Sequence, residues 1–141
     1  MAEKVIQEGI RWQHAPHTDT AKCALPVYVP LRPSFSSRLA LTAHVSRIPL
    51  KYGFTLLLGS MRVCGLDVNP GRSHTNFRTG KRETIWETHW QSWPEIDHVE
   101  ADDRELTHRQ WLREFCRKNR IAFTGGYRAP PHYGGEQLRL F

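Results

Sequence analysis

The sequence of 141 residues lacks the features that mark membrane-spanning or secreted proteins. No uninterrupted apolar run exceeds three residues, as at Leu56-Leu57-Leu58, whereas a membrane-spanning helix needs about 20. The first eight residues contain no basic segment that leads into an apolar one, so a secretory signal peptide is not expected. We therefore predict a cytoplasmic protein without a membrane partner.

Cysteine is scarce as well. Cys23, Cys64 and Cys116 lie far apart and are odd in number, which fits neither a disulfide framework nor a zinc ribbon. They are predicted to be small buried side chains in a reducing compartment. The sequence also lacks the motifs of phosphate-binding loops, dinucleotide folds, zinc proteases and common nucleases. We expect no metal and no cofactor.

Acidic residues are nearly missing from one long stretch. Residues 20–82 contain ten Lys or Arg and a single acid, Asp67, whereas residues 83–105 contain eight acids and one base. Fifteen of the twenty basic residues are arginine, which favours bidentate recognition of phosphate or carboxylate. Two interpretations are open: a basic face that binds a polyanion such as DNA or RNA, or basic strands that neutralise the acidic segment internally.

Alternating apolar residues indicate strands. Leu39, Leu41, Ala43 and Val45 alternate with more polar neighbours, the pattern of a half-buried strand. Two further apolar segments flank Gly59-Ser60 and predict a hairpin. The expected fold is α+β, with a mostly antiparallel sheet of five or six strands, one main C-terminal helix and a flexible tail.

A second hairpin is predicted with arms at about residues 74–78 and 83–91. Trp86 and Trp90 lie on the same face of its second arm, and we expect both to pack in the core. Trp93, just beyond this arm, is assigned to neither core nor surface.

The clearest single element is a helix over residues 108–120. Thr107 is the predicted N-cap, and Gln110 is its capping-box partner. Arginines repeat at intervals of four residues on the side opposite the apolar stripe. The apolar stripe is expected to contain Trp111, Leu112, Phe115 and Cys116.

Composition divides the chain near residue 123. Residues 1–123 have the mixed composition of one folded domain, and residues 124–135 are rich in Gly and Pro. Such a composition is typical of linkers. We therefore predict one domain over residues 1–123 and a flexible tail over residues 124–141.

The chain ends in Gln137-Leu138-Arg139-Leu140-Phe141, which resembles the sliding-clamp-binding pentapeptide of bacterial polymerases, mismatch-repair proteins and initiation regulators. The resemblance implies a bacterial DNA polymerase sliding clamp as partner, with Leu140 and Phe141 filling an apolar cleft. Leu138 would pack beside them and Gln137 would hydrogen-bond at the mouth. Arg139 departs from the small or acidic residue usual at the middle position. The alternative is a terminal strand that pairs with the protein's own sheet.

A candidate catalytic group lies around the second predicted hairpin. A turn near Gly80 would place His74 opposite about residue 86 and near His89. Two histidines beside arginines can cleave RNA without metal, one as base and one as acid. Alternatively, Asp67, Glu87 and a histidine can hold Mg²⁺.

Basic residues interleaved with aromatic ones also suit nucleic-acid binding. The candidate residues are Arg72, Arg78, Lys81, Arg82, Arg109, Arg113 and Arg117. We predict a nucleic-acid-associated accessory protein recruited to the sliding clamp, or a phage or mobile-element protein that blocks it. Two alternatives stay open: a nuclease or toxin-like ribonuclease that uses His74 and His89, and an interaction protein without nucleic-acid contact.

Overall fold

A computed structural model describes residues 3–34, 36–47, 49–69, 74–76, 81–83, 88–93 and 98–131, with the backbone alone at 74–76, 81–83 and 98. The fold is α+β, as predicted, with a seven-stranded antiparallel sheet, two small two-stranded sheets and a helix. In chain order the elements are β1 (Lys4–Ile6), β2 (Gln13–His14), β3 (Thr20–Val27), β4 (Ser37–His44), β5 (Lys51–Leu58), β6 (Met61–Val68), β7 (His74–Asn76), β8 (Lys81–Glu83), β9 (His89–Ser92), β10 (His98–Ala101), α1 (His108–Lys118) and β11 (Ile121–Phe123).

The main sheet has the order β10-β9-β6-β5-β4-β3-β2, and every neighbouring pair is antiparallel. The hairpin predicted around Gly59-Ser60 is confirmed as β5–β6. Its register shifts between Leu56 and Leu57, which adds one residue to β6. The four strands β3–β6 form the regular centre of the molecule.

Alternation along β3–β6 gives the sheet an apolar inner face. Helix α1 packs on this face: the ring centroid of Phe115 lies 5.7 Å from that of Phe54 and 5.8 Å from that of Trp90. The ring centroids of Trp111 and Trp90 are 6.4 Å apart. The prediction that Trp90 belongs to the core is confirmed, whereas Trp86 lies outside the described residues.

Local chemistry defines where α1 begins and ends. The Thr107 hydroxyl accepts a hydrogen bond from the Gln110 amide at 3.2 Å, and the Gln110 side chain accepts one from the Thr107 amide at 2.9 Å. This is the predicted capping box, and the four predicted stripe residues are buried. The helix ends at Lys118, two residues before the predicted end, because Arg120 has a left-handed φ of 55°.

The register predicted for the second hairpin is wrong. β7 pairs with β8, and His74 lies opposite Glu83 rather than residue 86. His89 belongs to β9 of the main sheet, where it lies opposite Asp67 on β6. The physical reason is burial: the same pairing places Trp90 opposite Leu66 in the core, so the end of the predicted arm joins the main sheet.

The chain after α1 runs along the N-terminal segment. β11 pairs in parallel with β1, and the Ile10 amide donates to the Gly126 carbonyl at 2.9 Å. The Trp12 indole donates to the Arg128 carbonyl at 3.0 Å. These hydrogen bonds attach part of the predicted tail, up to residue 128, to the domain. Residues 132–141 lie outside the described residues.

Two general expectations concern membranes and cysteines. No helix in the described part of the chain has the length and apolar character that crossing a membrane requires. Cys23, Cys64 and Cys116 are buried free thiols, as predicted. Burial raises the pKa of Cys116 to about 11, so this thiol stays protonated and unreactive at neutral pH.

Candidate nucleic-acid interface

The face of the main sheet opposite α1 is lined by small side chains. The register places Ala24, Ala40, Thr55 and Gly65 side by side across β3–β6. Ala24 is exposed, and Ala40 and Thr55 are partly exposed. The outward-facing residues of β3–β6 are called the open sheet face below. The row of small side chains leaves the middle of this face without bulky groups.

Four basic side chains surround the row of small side chains. Arg38 and Arg62 share a row across β4–β6 with Leu57 between them, while Lys22 and Lys51 lie toward the other end of the strands. Lys22, Arg38 and Arg62 are exposed, and Lys51 is half-buried. None of the four has an ion-pair partner among the residues that the structure describes. Within the described part of the chain, no ion pair has to be broken before these four charges meet a ligand.

Trp93 lies on the open sheet face, which resolves the assignment left open by the sequence. Its amide donates to the Val63 carbonyl at 3.1 Å. A Cβ atom at Gly65 would lie 3.1 Å from the indole ring, so the missing side chain of Gly65 lets the ring lie close to the sheet. The guanidinium carbon of Arg62 is 4.6 Å from the ring centroid, a cation–π distance. The indole is thus held between backbone and guanidinium.

Asp67, the acid that interrupts the basic stretch, forms a pair with His89. Asp67 Oδ2 lies 3.4 Å from His89 Nε2 across β6 and β9. A Cβ atom at Gly53 would lie 3.0 Å from Asp67 Oδ1, so a side chain at this position would crowd the carboxylate, which lies over β5. The sequence grouped Asp67 with His89, and the structure brings the two together.

This pair is poorly placed for catalysis. A general acid or base must come within hydrogen-bond reach of its substrate, but the His89 side chain is 0% exposed and Asp67 is 30% exposed. Of the other predicted catalytic residues, His74 lies on β7 and Glu87 lies outside the described residues. Within the described ranges, no group of three or more His, Cys, Asp or Glu side chains is arranged to hold a metal ion. The described geometry therefore favours a structural role for Asp67 and His89.

The three predicted helix arginines form a second basic surface. Arg109, Arg113 and Arg117 line a groove of about 410 Å³ between α1 and β11. Arg117 pairs with Glu114 at 2.7 Å, and the guanidinium carbon of Arg109 lies 5.2 Å from the Tyr127 ring centroid. These arginines are called the α1 arginine surface below. Because α1 covers the inner face of the sheet, they lie on the opposite side of the molecule from the open sheet face.

The predicted nucleic-acid-binding residues are thus not brought together as one set. Lys81 and Arg82 lie on β8, and Arg72 and Arg78 lie outside the described residues. Sequence reasoning missed the four cations of the open sheet face as a set. The signal that identifies them is their outward position in strands whose alternate residues are apolar.

Asp102 of the acidic segment is paired locally. Arg104 contacts Asp102 at 2.8 Å and Glu114 at 3.0 Å. The Arg104 hydrogen bond, together with one from the Trp90 indole, lowers the pKa of Asp102 to about 2. Asp102 therefore neutralises a neighbour in sequence rather than a cation of the sheet.

A buried histidine, His108, packs the first turn of α1 against the sheet. His108 is 8% exposed, and its Nδ1 lies 2.6 Å from the Tyr127 hydroxyl. Its ring packs against Tyr52 at 4.7 Å and Phe54 at 5.2 Å between centroids. Burial lowers the pKa of His108 from 6.5 to about 4. The sequence did not identify this residue, although its i to i+4 spacing from Leu112 places both on the buried side of the helix.

Comparisons with known proteins identify no similar protein. No family model, curated protein or solved structure matches this chain. Functional inference therefore depends on the residues and geometry above.

Proposed function

We propose that this protein is a nucleic-acid-associated accessory protein of the bacterial cytoplasm. It contacts nucleic acid through the open sheet face and is recruited to the DNA polymerase sliding clamp through its last five residues. The observation that carries the nucleic-acid contact is the set of four cations around a row of small side chains, none of the four ion-paired to a described residue. The recruitment step is supported by the terminal pentapeptide.

The nucleic-acid contact follows from electrostatics. A phosphate backbone binds where Lys and Arg displace its condensed counterions. Lys22, Arg38, Lys51 and Arg62 have no ion pairs within the described residues that must first be broken. Their contribution to polyanion binding is therefore not offset by the loss of internal pairs.

The competing interpretation of the charge pattern is internal neutralisation. It requires the acidic segment to pair with the basic strands. Asp102 instead pairs with Arg104, and Glu114 pairs with Arg104 and Arg117. Asp102 is therefore not the partner of a strand cation, which supports an external polyanion as the ligand of the basic strands.

The recruitment step requires the pentapeptide to reach a cleft on another protein. The hydrogen bond from Trp12 fixes the chain at Arg128. The ten residues from 132 to 141 have a maximum extended length of about 35 Å. Burial of Leu138, Leu140 and Phe141 at about 1.5–3 kcal/mol each gives about 4.5–9 kcal/mol before the cost of ordering the peptide. Because a dissociation constant of 1 μM corresponds to about 8.2 kcal/mol, the expected affinity is micromolar or weaker.

Titration of purified clamp tests the recruitment step. The double substitution Leu140→Ala/Phe141→Ala is expected to abolish binding without changing the melting temperature, because both anchors are lost while the core is untouched. Arg139→Ala is the matched control and should retain binding, since the middle position of the motif is not an anchor. If the unmodified chain does not bind the clamp, the recruitment proposal is wrong. If, in addition, the double variant melts at a lower temperature, the tail belongs to the protein's own fold.

A further inference from the structure

We infer that the open sheet face selects single-stranded nucleic acid and that one base stacks on Trp93 after Arg62 moves from the indole to a phosphate. This inference rests on the proposed function and adds the ligand class and the stacking residue. DNA and RNA single strands share the required chemistry, a flexible backbone with an exposed base.

The shape of the face favours a single strand over a duplex. From Arg38 to His44 the strands extend about 20 Å, at ~3.3 Å per residue. Across this area the outward side chains of the small-residue row are Ala24, Ala40 and Thr55. Proteins that read the sequence of a duplex insert a helix or a β-ribbon into a groove. The row of small side chains presents no such element. A single strand is narrow and flexible, so it can lie along the row of small side chains with its phosphates near the surrounding cations.

The environment of Trp93 supplies a stacking platform. The indole lies close to the sheet at Gly65, and the Trp93 amide is bonded to Val63, so the ring is held before any ligand binds. The indole also contacts the Arg62 guanidinium, which is exposed and has no ion-pair partner among the described residues.

An arginine on an aromatic face occupies the place that a base takes in single-strand complexes. Rotation of the long Arg62 side chain exposes the indole and carries its charge to the adjacent phosphate. The ring and the cation then bind the same nucleotide, one through its base and the other through its backbone.

The positions of the basic residues indicate a route for the nucleic-acid strand beyond Trp93. Arg62 and Arg38 lie in one row across the strands, two strands apart or about 10 Å, and Lys22 lies four residues from Pro26, the β3 partner of Arg38. A strand that stacks one base on Trp93 can therefore continue over the small residues with phosphates near Arg38 and Lys22. Asp67 lies beyond Gly65 along β6 with its carboxylate over β5, so it disfavours a path across that end of β5 and β6 toward β9.

Fluorescence anisotropy tests the inference with labelled probes of about 12 nucleotides. The probes are single-stranded DNA, single-stranded RNA and duplex DNA, each added to the full-length protein. We expect tighter binding of the single strands than of the duplex. Trp93→Leu keeps an apolar side chain over Gly65 but removes the aromatic face, and it should weaken single-strand binding about 10- to 100-fold. Trp93→Phe should recover most of that loss.

Arg62→Ala gives a second, independent readout. It removes one phosphate contact and should reduce the salt slope for single strands by about 0.7, while the preference over duplex persists because the indole remains. Equal affinity for single strands and duplex, or wild-type binding by Trp93→Leu, would overturn the inference and leave the proposed function standing. Absence of binding to all three probes would instead reject the nucleic-acid function itself. Melting temperatures of both Trp93 variants establish that the fold is retained.

Discussion

The open sheet face and the α1 arginine surface carry similar charge but are built differently. The three helix arginines are neighbours in sequence, and two of them already have contacts: Arg117 with Glu114 and Arg109 with Tyr127. The sheet cations come from distant positions on β3–β6 and are assembled by strand register. They have no ion pairs within the described ranges. A cluster of basic residues in the sequence is therefore a weaker guide to an interface than the contacts that those residues make in the structure.

The difference has an energetic meaning. Exposed ion pairs contribute only about 0–1 kcal/mol, yet a ligand that recruits Arg117 competes with Glu114 for it. Arg62, in contrast, gives up only its contact with Trp93, and that contact is replaced by a base. Equal formal charge thus yields unequal affinity for phosphate.

Charge reversal separates the two surfaces and has the largest expected effect. Lys22→Glu/Arg38→Glu/Arg62→Glu removes three phosphate contacts and adds repulsion, so single-strand affinity should fall about 1,000-fold, or ~4 kcal/mol. Arg109→Glu/Arg113→Glu/Arg117→Glu is the matched control. It should lower affinity by less than about fivefold, because at physiological salt the screening length is ~8 Å. Anisotropy titrations of both variants measure the difference, and equal losses would show that the sheet is not the preferred surface.

The stability of the fold is expected to decrease in acid because of His108 on α1. Its folded pKa is lowered from 6.5 to about 4, so the unfolded chain binds a proton that the folded chain does not bind between those values. Stability is therefore retained above pH 6.5 and falls as the pH drops toward 4, by about 3 kcal/mol.

Urea unfolding at pH 7, about 5.5 and 4 measures this loss. His108→Phe should remove the corresponding part of the pH dependence, although it also removes the hydrogen bond with Tyr127. His44→Gln, at a half-buried position beside Asp19 on the sheet, is the matched control and should preserve the His108 contribution. An unchanged slope in His108→Phe would assign the acid sensitivity to other groups.

The smallest effect concerns the N-cap of α1. Thr107→Ala removes the hydroxyl that accepts from the Gln110 amide and should lower the free energy of unfolding by about 1 kcal/mol. Thr107→Ser keeps the hydroxyl and should lose little. Neither variant should alter nucleic-acid affinity, because the cap lies on the helix side of the sheet. A change in affinity upon Thr107→Ala would contradict the separation of the two surfaces.

Features determined by local chemistry could be predicted from the sequence. The cap at Thr107 and the apolar stripe of α1 depend on residues within a few positions of one another, and both are confirmed. The strand alternation around Leu39 and the Gly59-Ser60 hairpin have the same local character. These signals were sufficient for the α+β class.

Features that depend on distant pairing could not be predicted. The choice of β9 as partner of β6 sets His89 opposite Asp67 and brings Trp93 over Gly65, but no nearby residue signals that choice. The short turn signal at Gly80 instead suggested a single long hairpin. The open sheet face depends further on which side α1 covers, and that side is decided by the packing of Phe115 on Phe54 and Trp90.

The salt dependence of single-strand binding tests the central claim most directly. Four cations that each release a counterion predict a log–log slope of about −3 for a single strand. Lys22→Gln/Arg38→Gln/Lys51→Gln/Arg62→Gln should bring that slope close to zero, whereas Arg109→Gln/Arg113→Gln/Arg117→Gln should leave it near −3. An unchanged slope in the sheet variant, or a slope that collapses only in the helix variant, would contradict the assignment of the open sheet face as the nucleic-acid interface.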